Sequence, residues 1–358
     1  MANVMKMRRE NYSSMNVSEK TKLRVRKLAE LFRGKSNLLI VMQDNPDPDS
    51  IASAVGLRKL ANSLGDLQCS IAHGGTVGRG ENRALVRYLG LNLHHCDEIE
   101  FDKFDLIAMV DTQPGTGNNS LPQGIVPDIV FDHHPLRDIT RSSEFFDVRR
   151  RYGATATILL EYIVEAGIIP DTSLATALLY AIRSDTQDLG REAGRADVEA
   201  IGFLFPIANK RMLGEIQRGS VEKAYFRMLA EGLENARMYG NCIVTTLGDT
   251  ENPDMMGEVA DLLLREDETS WTLCTGFYQN KLLLSVRTSA QDMGADRVVQ
   301  RIVAGRGTGG GHQTYAGGQV PLKKDTRSER ENLERVIRQK FLKAVGADAQ
   351  HWFRLIEK

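Results

Sequence analysis

Long hydrophobic runs are absent from this 358-residue sequence. No apolar stretch approaches the roughly 20 residues that a membrane-spanning helix needs. Residues 1–35 are polar and contain no apolar core of a signal peptide. These absences lead us to expect a soluble, cytoplasmic protein without a membrane partner.

Cysteine is scarce, and neither sign of charge is in surplus. Cys69, Cys96, Cys242 and Cys274 are scattered without Cys-x-x-Cys spacing, which indicates reduced cysteines used as small apolar residues. The 46 Lys and Arg face 47 Asp and Glu, for a net charge of −1. The chain as a whole therefore does not attract polyanions, so any nucleotide or nucleic acid must meet local positive charge.

Short β-rich runs alternate with helical stretches between residues 37 and 185. Strand-like runs cover residues 38–42, 69–73, 106–110 and 129–131. Helix-like stretches include residues 51–63, 81–89, 154–166 and 172–182. The alternation predicts an α/β fold with a mostly parallel sheet and helices on both faces.

A second, smaller α/β unit follows. Residues 242–247, 271–278 and 281–287 are strand-like, with a tight turn at Gln279-Asn280, and residues 255–264 and 292–303 are helix-like. Further helices are expected over residues 17–32 and 221–238. The predicted organisation is a helical extension (1–36), a first domain (37–190), a helical linker (191–232) and a second domain (233–358).

Acidic and histidine side chains follow four apolar runs. They are Asp47 and Asp49 after residues 38–42, Asp111 after 106–110, Asp132-His133-His134 after 125–131, and Asp185 after 178–182. Each aspartate considered alone would serve equally well as a helix cap or turn residue. Carboxylates at the C-terminal ends of neighbouring strands converge where α/β sheets bind ligands, so the clusters together predict one composite site.

Convergence of Asp47, Asp49, Asp111 and Asp185 would be costly without counter-ions, and two divalent cations would balance their charge. Oxygen ligands mixed with imidazole suit Mn²⁺, with Mg²⁺, Fe²⁺ and Co²⁺ as weaker candidates. The absence of cysteine near the clusters argues against structural zinc. A metal pair bridged by one carboxylate, most naturally Asp111, would serve phosphoester hydrolysis by activating water.

A glycine-rich run at residues 305–312 ends in Gly309-Gly310-Gly311-His312 and allows two interpretations. One is a flexible loop. The other is a loop whose backbone N–H groups approach an anion closely, as phosphate-binding loops do. His312, with Arg287 and Arg306 nearby in sequence, favours phosphate binding.

The acidic motifs and the glycine-histidine motif together resemble those of the DHH phosphoesterase superfamily, in the subfamily that pairs a DHH domain with a DHHA1 domain. RecJ-type exonucleases, nanoRNases and cyclic-dinucleotide phosphodiesterases belong to this subfamily. The resemblance covers residues 37–345. It implies a doubly wound DHH domain, a smaller α/β DHHA1-like domain across a cleft, and a hydrolase acting on phosphodiester or phosphomonoester bonds.

The resemblance also implies a role for each residue of the metal-binding motifs. Asp47 would bind one metal ion. Asp49, His133 and Asp185 would bind the other, and Asp111 would bridge both.

Further roles follow from the same resemblance. Asp132 would orient its neighbours, and His134 would face the phosphoryl oxygens or the leaving group. His312, Arg287 and the three glycines before His312 would hold the phosphate or base of a nucleotide.

Gln43 departs from the family pattern, because the first motif usually begins with histidine. An amide oxygen can bind a hard cation but is a poorer ligand than imidazole for transition metals. We therefore expect Gln43 to weaken one metal position, to shift its preference towards Mg²⁺, or to leave it empty. RecJ-like members also lack this histidine, so an active enzyme is the first expectation. A nucleotide-binding regulatory module with weakened catalysis is the alternative.

Several classes of substrate are compatible with these motifs. The DHHA1-like second domain argues against the superfamily's pyrophosphatases, and the modest size argues against a processive exonuclease and long duplex partners. Short oligoribonucleotides, linear or cyclic dinucleotides, and 3′-phosphoadenosine 5′-phosphate fit best. The resemblance is also compatible with a homodimer.

Overall fold

The computed structural model describes residues 17–356, which form two compact units. The first unit ends at Ser220 and the second begins at Val221. The first 16 residues of the predicted extension lie outside the described part. The remainder contains helix α1 (Glu19–Phe32), which begins where the Ser18 side chain accepts a hydrogen bond from a backbone amide. No helix in the described residues is long and apolar enough to cross a membrane.

The first unit is built on a six-stranded sheet in which every pairing is parallel. Its strands are β1 (Asn37–Val41), β2 (Gln68–His73), β3 (Leu93–His95), β4 (Leu106–Val110), β5 (Ile129–Asp132) and β6 (Phe145–Val148). Its remaining helices are α2 (Pro48–Gly65), α3 (Gly80–Tyr88), α4 (Thr155–Glu165), α5 (Thr172–Asp185), α6 (Arg195–Leu204) and α7 (Lys210–Gln217).

The strand order 3-2-1-4-5-6 is that of a doubly wound sheet. Strand β1 pairs with β2 on one side and with β4 on the other, so the direction of winding reverses between β1 and β4. Residues that follow the C-terminal ends of these two strands therefore meet at the switch point, where this fold binds ligands.

The two faces of this sheet are covered differently. Leu38 and Ile40 point into the larger core, together with the buried faces of helices α1 to α7. Leu39 and Val41 point into a smaller core on the opposite face. Within the described residues, that face is covered by single 3-10 turns, such as Phe101–Lys103, and by loop residues. The prediction of helices on both faces is therefore confirmed for the face with the larger core and wrong for the opposite face.

The second unit contains a seven-stranded mixed sheet with the order 11-12-10-9-8-7-13. Its strands are β7 (Arg237–Tyr239), β8 (Cys242–Asp249), β9 (Trp271–Tyr278), β10 (Lys281–Thr288), β11 (Thr308–Gly311), β12 (Tyr315–Pro321) and β13 (Phe353–Arg354). Its helices are α8 (Lys223–Asn235), α9 (Met255–Leu263), α10 (Ala295–Val303) and α11 (Arg327–Val345). The predicted turn between β9 and β10 is confirmed, because Gln279 and Asn280 both have positive φ.

Three sequence-based expectations are corrected here. Strands β3 and β6 were not anticipated; both are short edge strands without the long apolar run of a central strand. The helix expected over residues 221–238 ends at Asn235, and the chain then enters β7. The glycine run is not a flexible loop, since Thr308–Gly311 forms the edge strand β11. Gly309 is needed there because an added Cβ would lie 2.4 Å from the Val299 Cγ1 atom of α10.

Candidate active site

The acidic motifs converge at the switch point of the first sheet. Asp47 caps helix α2 just after β1, and its Oδ1 accepts a hydrogen bond from the Ser50 amide at 2.9 Å. Asp111 directly follows β4, and Asp132 ends β5. Asp185 also reaches the site, but from the last residue of helix α5 rather than from a strand. The apolar residues before Asp185 therefore belong to a helix and not to a strand.

Asp49 is held by the N-terminus of helix α4. Its Oδ2 accepts a hydrogen bond from the Thr155 amide at 2.7 Å, and its Oδ1 accepts one from the Ala156 amide at 2.8 Å. Burial and the neighbouring Asp47 carboxylate raise the pKa of Asp49 to about 7, although the two amides lower it. Asp49 is therefore fixed in place, and a nearby cation would favour its ionised form.

Asp111 lies at the centre of the cluster and is almost fully buried. Its backbone is left-handed, with φ of 58°, and its amide donates to the Phe131 carbonyl at 2.9 Å. Its Oδ1 accepts from the Thr155 hydroxyl at 3.1 Å, and its Oδ2 lies 3.5 Å from the Gln43 amide nitrogen. Burial, followed by repulsion from Asp49, raises the pKa of Asp111 well above its ordinary value.

His133 presents one ring nitrogen to this cluster. Its Nδ1 lies 3.2 Å from the Tyr152 carbonyl oxygen, which can only accept, so Nδ1 carries a proton in that hydrogen bond. Its Nε2 lies 3.2 Å from Asp185 Oδ2 and 3.6 Å from Asp111 Oδ1. The neutral tautomer therefore directs a lone pair between two carboxylates, which is the arrangement of a histidine metal ligand.

Asp132 and His134 form a buried charged pair beside the cluster. Asp132 Oδ1 accepts from His134 Nδ1 at 2.7 Å and from the backbone amides of His133 and His134 at 2.8 and 3.1 Å. Burial opposes the charged forms, but attraction to His134 lowers the pKa of Asp132 to about 2. Attraction to Asp132, again against burial, raises the pKa of His134 to about 9. His134 is thus a protonated donor at neutral pH.

These residues fit a divalent cation. Ligand atoms of Asp49, His133 and Asp185 all lie within 4.8 Å of one another. Burial and repulsion from Asp49 and Asp47 raise the pKa of Asp185 well above its ordinary value, and Arg191 Nη2 is 4.0 Å from Asp185 Oδ1. Hard oxygen donors and one imidazole are suitable ligands for a hard or borderline divalent cation. The charge of such a cation would relieve the mutual repulsion of the carboxylates.

Two sequence-predicted residues of the second unit, Arg287 and His312, lie near each other. Arg287 on β10 lies 2.5 Å from Asp261 Oδ1 through Nε, and 2.6 Å from the Ser285 hydroxyl through Nη1. Its guanidinium is 5.6 Å from the ring centre of Tyr315, on which the His312 ring stacks at 4.6 Å. Arg287 and His312 are therefore joined through Tyr315.

Several positioning residues were missed by the sequence analysis. Gln113 is fully buried; its Nε2 donates to Asp132 Oδ2 at 2.6 Å, and its Oε1 accepts from Thr140 Oγ1 at 2.9 Å. Thr155 contacts both Asp49 and Asp111. Asp197 accepts from the Gly153 amide at 2.8 Å and the Thr157 hydroxyl at 2.6 Å, which anchors the start of α4. Among these residues, only Gln113 could have been suspected from the sequence, because it lies two residues after Asp111.

Family models match most of the chain. The model described as "DHH family, N-terminal domain" matches residues 37–182, and the model "DHHA1 domain" matches residues 240–341.

Similar proteins were found by sequence and by structure. An uncharacterized protein of Methanocaldococcus jannaschii is 34% identical over 87% of this chain and 65% of its own length. A probable manganese-dependent inorganic pyrophosphatase of Clostridium acetobutylicum is 29% identical over 42% of this chain and 47% of its own length. The chain thus spans less than two thirds of either relative. An exopolyphosphatase-related protein from Bacteroides fragilis has the same fold, with a TM-score of 0.68, 14% identity, and coverage of 92% of this chain and 98% of its own.

Proposed function

The chain belongs to the DHH family and carries a DHHA1 domain, and from this premise we propose that it is a metal-dependent phosphoesterase acting on short oligoribonucleotides or small (di)nucleotides. The observation that carries the proposal is the convergence of Asp49, Asp111, Asp185 and His133 in one buried site at the sheet's switch point. Buried carboxylates that repel one another are costly in a fold, and a bound divalent cation would relieve that cost.

Two divalent cations, with Mn²⁺ as the first candidate, fit this donor set. Asp49, His133 and Asp185 would hold one ion. The family resemblance implies that Asp47, together with Gln43, would hold the other. Asp111, whose two oxygens face His133 and Gln43 respectively, would reach both. Such ions supply an activated water nucleophile and neutralise phosphoryl charge. The manganese dependence in the name of the C. acetobutylicum relative supports this choice.

The chain's own residues have separate tasks. The α4 N-terminus fixes Asp49 through two backbone amides, so this carboxylate needs no reorganisation when substrate binds. Asp132 orients His134 and keeps it protonated, and the opposite ring nitrogen of His134 would donate to a phosphoryl oxygen or to the leaving group. Gln113 in turn holds Asp132.

In the second unit, Arg287 and His312 would hold the phosphate or base of the substrate. Arg287 is already oriented by Asp261 and Ser285, so a substrate phosphate would share its guanidinium with the Asp261 carboxylate. The glycines of β11 are exposed, so their backbone is accessible to a ligand. A homodimer remains an expectation of the resemblance.

Short nucleotide substrates are favoured over inorganic pyrophosphate. The similarity to the pyrophosphatase covers only 42% of this chain, whereas a DHHA1 domain matches residues 240–341. The test is hydrolysis of a dinucleotide RNA, a 24-mer RNA, a cyclic dinucleotide, 3′-phosphoadenosine 5′-phosphate and pyrophosphate, each with Mn²⁺ or Mg²⁺. We expect turnover of a short nucleotide substrate. Turnover of pyrophosphate alone, or of none of the five, would contradict the proposal.

Replacing Gln43 by histidine separates this proposal from the regulatory alternative. Because imidazole is a better ligand for Mn²⁺ than an amide, Gln43→His should tighten Mn²⁺ binding about tenfold in calorimetry. At saturating Mn²⁺ we expect kcat to change by less than about threefold, because the metal position beside Gln43 would then be occupied in both proteins. Gln123→Ala, at an exposed position, is the control. A rise from near-zero activity to robust turnover would instead favour the regulatory module.

A further inference from the structure

An open surface cavity of ≈ 330 Å³ lies at the end of helix α5 that supplies Asp185. This volume lies at the lower end of the range for small-molecule sites. The cavity is lined by Tyr180, Arg183, Ser184, Gln187, Asp188 and Gln217. All six belong to the first unit, and none was singled out by the sequence motifs.

The backbone on one side of this cavity is strained. Gln187, Asp188 and Leu189 are three successive residues other than glycine with left-handed backbones, with φ of 47°, 55° and 70°. Such conformations are unfavourable for L-residues and persist only where the surroundings fix them. Here the Asp188 amide donates to the Arg183 carbonyl at 2.7 Å, and the Leu189 amide donates to the Thr186 hydroxyl at 3.1 Å. The cavity wall is therefore preformed, as in ligand sites whose residues must be held in one position.

The charges of the lining identify the kind of ligand. The only cation among the six, Arg183, lies 2.5 Å from Asp188 Oδ1 through its Nε, so the pair has no net charge. Gln187, Gln217 and Ser184 offer neutral donors and acceptors. Burial and the Glu81 carboxylate raise the pKa of Tyr180, whose hydroxyl remains a donor. A neutral, hydrogen-bonding cavity suits a nucleobase better than a second phosphate.

The cavity adjoins the acidic site. Arg183 and Ser184 are in the last turn of α5, two residues and one residue before Asp185. Asp47 is also among the carboxylates whose charge raises the pKa of Tyr180. We propose that this cavity binds the nucleobase of the nucleotide whose phosphate is cleaved, with Gln187 and Gln217 as specificity-determining residues. The inference rests on the proposed function and deepens it, because pyrophosphate has no group to fill the cavity.

Gln217→Ala tests the inference by kinetics. For a dinucleotide RNA, KM should rise about tenfold with kcat within about twofold, because the lost amide contacts the base and not the reacting phosphate. For an abasic dinucleotide with the same phosphodiester, KM should be the same in the variant and the natural protein. Gln123→Ala should match the natural protein on both substrates. An unchanged KM for the dinucleotide, or an equal rise for the abasic analogue, would overturn the inference.

Gln187→Gly is a second variant, and its substitution is compatible with the folded backbone. Glycine adopts positive φ without strain, so this change removes the amide while relieving the backbone. We expect a higher thermal midpoint together with the same KM increase. A higher midpoint with an unchanged KM would count against a role for Gln187 in base binding.

Direct binding separates this inference from the proposed function. Calorimetry with adenosine and guanosine, which lack phosphate, should show saturable binding to the natural protein and to Gln123→Ala, and about tenfold weaker binding to Gln217→Ala. If no substrate is hydrolysed but this pattern is seen, the proposed function fails and the base site stands. If a dinucleotide is hydrolysed but neither nucleoside binds and KM is unchanged in Gln217→Ala, the base site fails alone.

Discussion

Asp111→Asn is expected to lower kcat/KM by about a thousandfold while raising the stability of the metal-free protein. The loss of activity follows because the Asp111 carboxylate faces both His133 and Gln43, so an amide there would weaken both proposed metal positions. The gain in stability follows because Asp111 is buried and repelled by Asp49 and Asp47. Removing an ionisable group from that position should raise the free energy of unfolding without metal.

Asparagine is the suitable replacement for Asp111 because of the left-handed backbone at this position. Asp111 has φ of 58°, and asparagine is among the residues that tolerate the left-handed region. Asp66→Asn is a matched control, since Asp66 also has positive φ, of 55°, but is exposed at the end of α2. Urea unfolding in EDTA and turnover with Mn²⁺ are measured for both variants. Robust metal-dependent turnover by Asp111→Asn, or lower stability than the natural protein in EDTA, would refute the assignment.

The sequence was sufficient to predict the central strands and the placement of the motifs after them. Strand β4 was predicted over residues 106–110 and observed over the same residues, because a central parallel strand is buried on both faces and reads as an unbroken apolar run. Strand β3 has only three residues, two of them histidine, so its pattern does not differ from that of a loop. The glycines of β11 allowed two interpretations, a flexible loop or a phosphate-binding backbone, and neither predicted a strand. Their place in the sheet is set by packing against α10, which local sequence does not report.

The contacts that position the candidate metal-binding residues were harder to predict than those residues themselves. Carboxylates and histidines can be identified from chemistry alone, but Thr155 and Asp197 gain their roles only through contacts with residues about 40 or more positions away in sequence. Likewise, the tautomer of His133 depends on the Tyr152 carbonyl, and no property of the Tyr152 side chain indicates it. Backbone groups position much of this site, and a backbone group has the same chemistry at nearly every residue.

Metal removal should abolish hydrolysis and reverse the usual pH dependence of stability. In EDTA we expect activity to fall by more than about a thousandfold. Without metal, the native state holds a proton on Asp49 up to a pKa of about 7, whereas the unfolded chain releases it near the ordinary value of 3.8. The native state therefore binds more protons between these values, so the free energy of unfolding falls as pH rises through this interval.

His134 extends the same trend to higher pH. Its pKa of about 9 in the native state lies above the ordinary 6.5, so stability continues to fall until about pH 9. Asp132, with a pKa of about 2, acts in the opposite direction only below about pH 4. The thermal midpoint in EDTA should thus drop by ~5–10 °C between pH 5 and pH 8.5. Saturating Mn²⁺ should remove this drop, because carboxylates bind the ion in their ionised form and bind it more tightly as pH rises.

The acidic cluster can be isolated as the cause of this slope. The chain's net charge of −1 makes general charge repulsion a small contribution near neutral pH, so the slope should come from a few groups. Asp111→Asn should flatten the slope in EDTA, since it removes one carboxylate that raises the proton affinity of the cluster, whereas Asp66→Asn should leave it unchanged. Melting curves at pH 5, 7 and 8.5 with EDTA or Mn²⁺ decide the matter. A midpoint that rises with pH in EDTA would contradict the raised pKa values of the cluster. A midpoint that does not respond to Mn²⁺ at pH 8.5 would mean that these carboxylates share no cation.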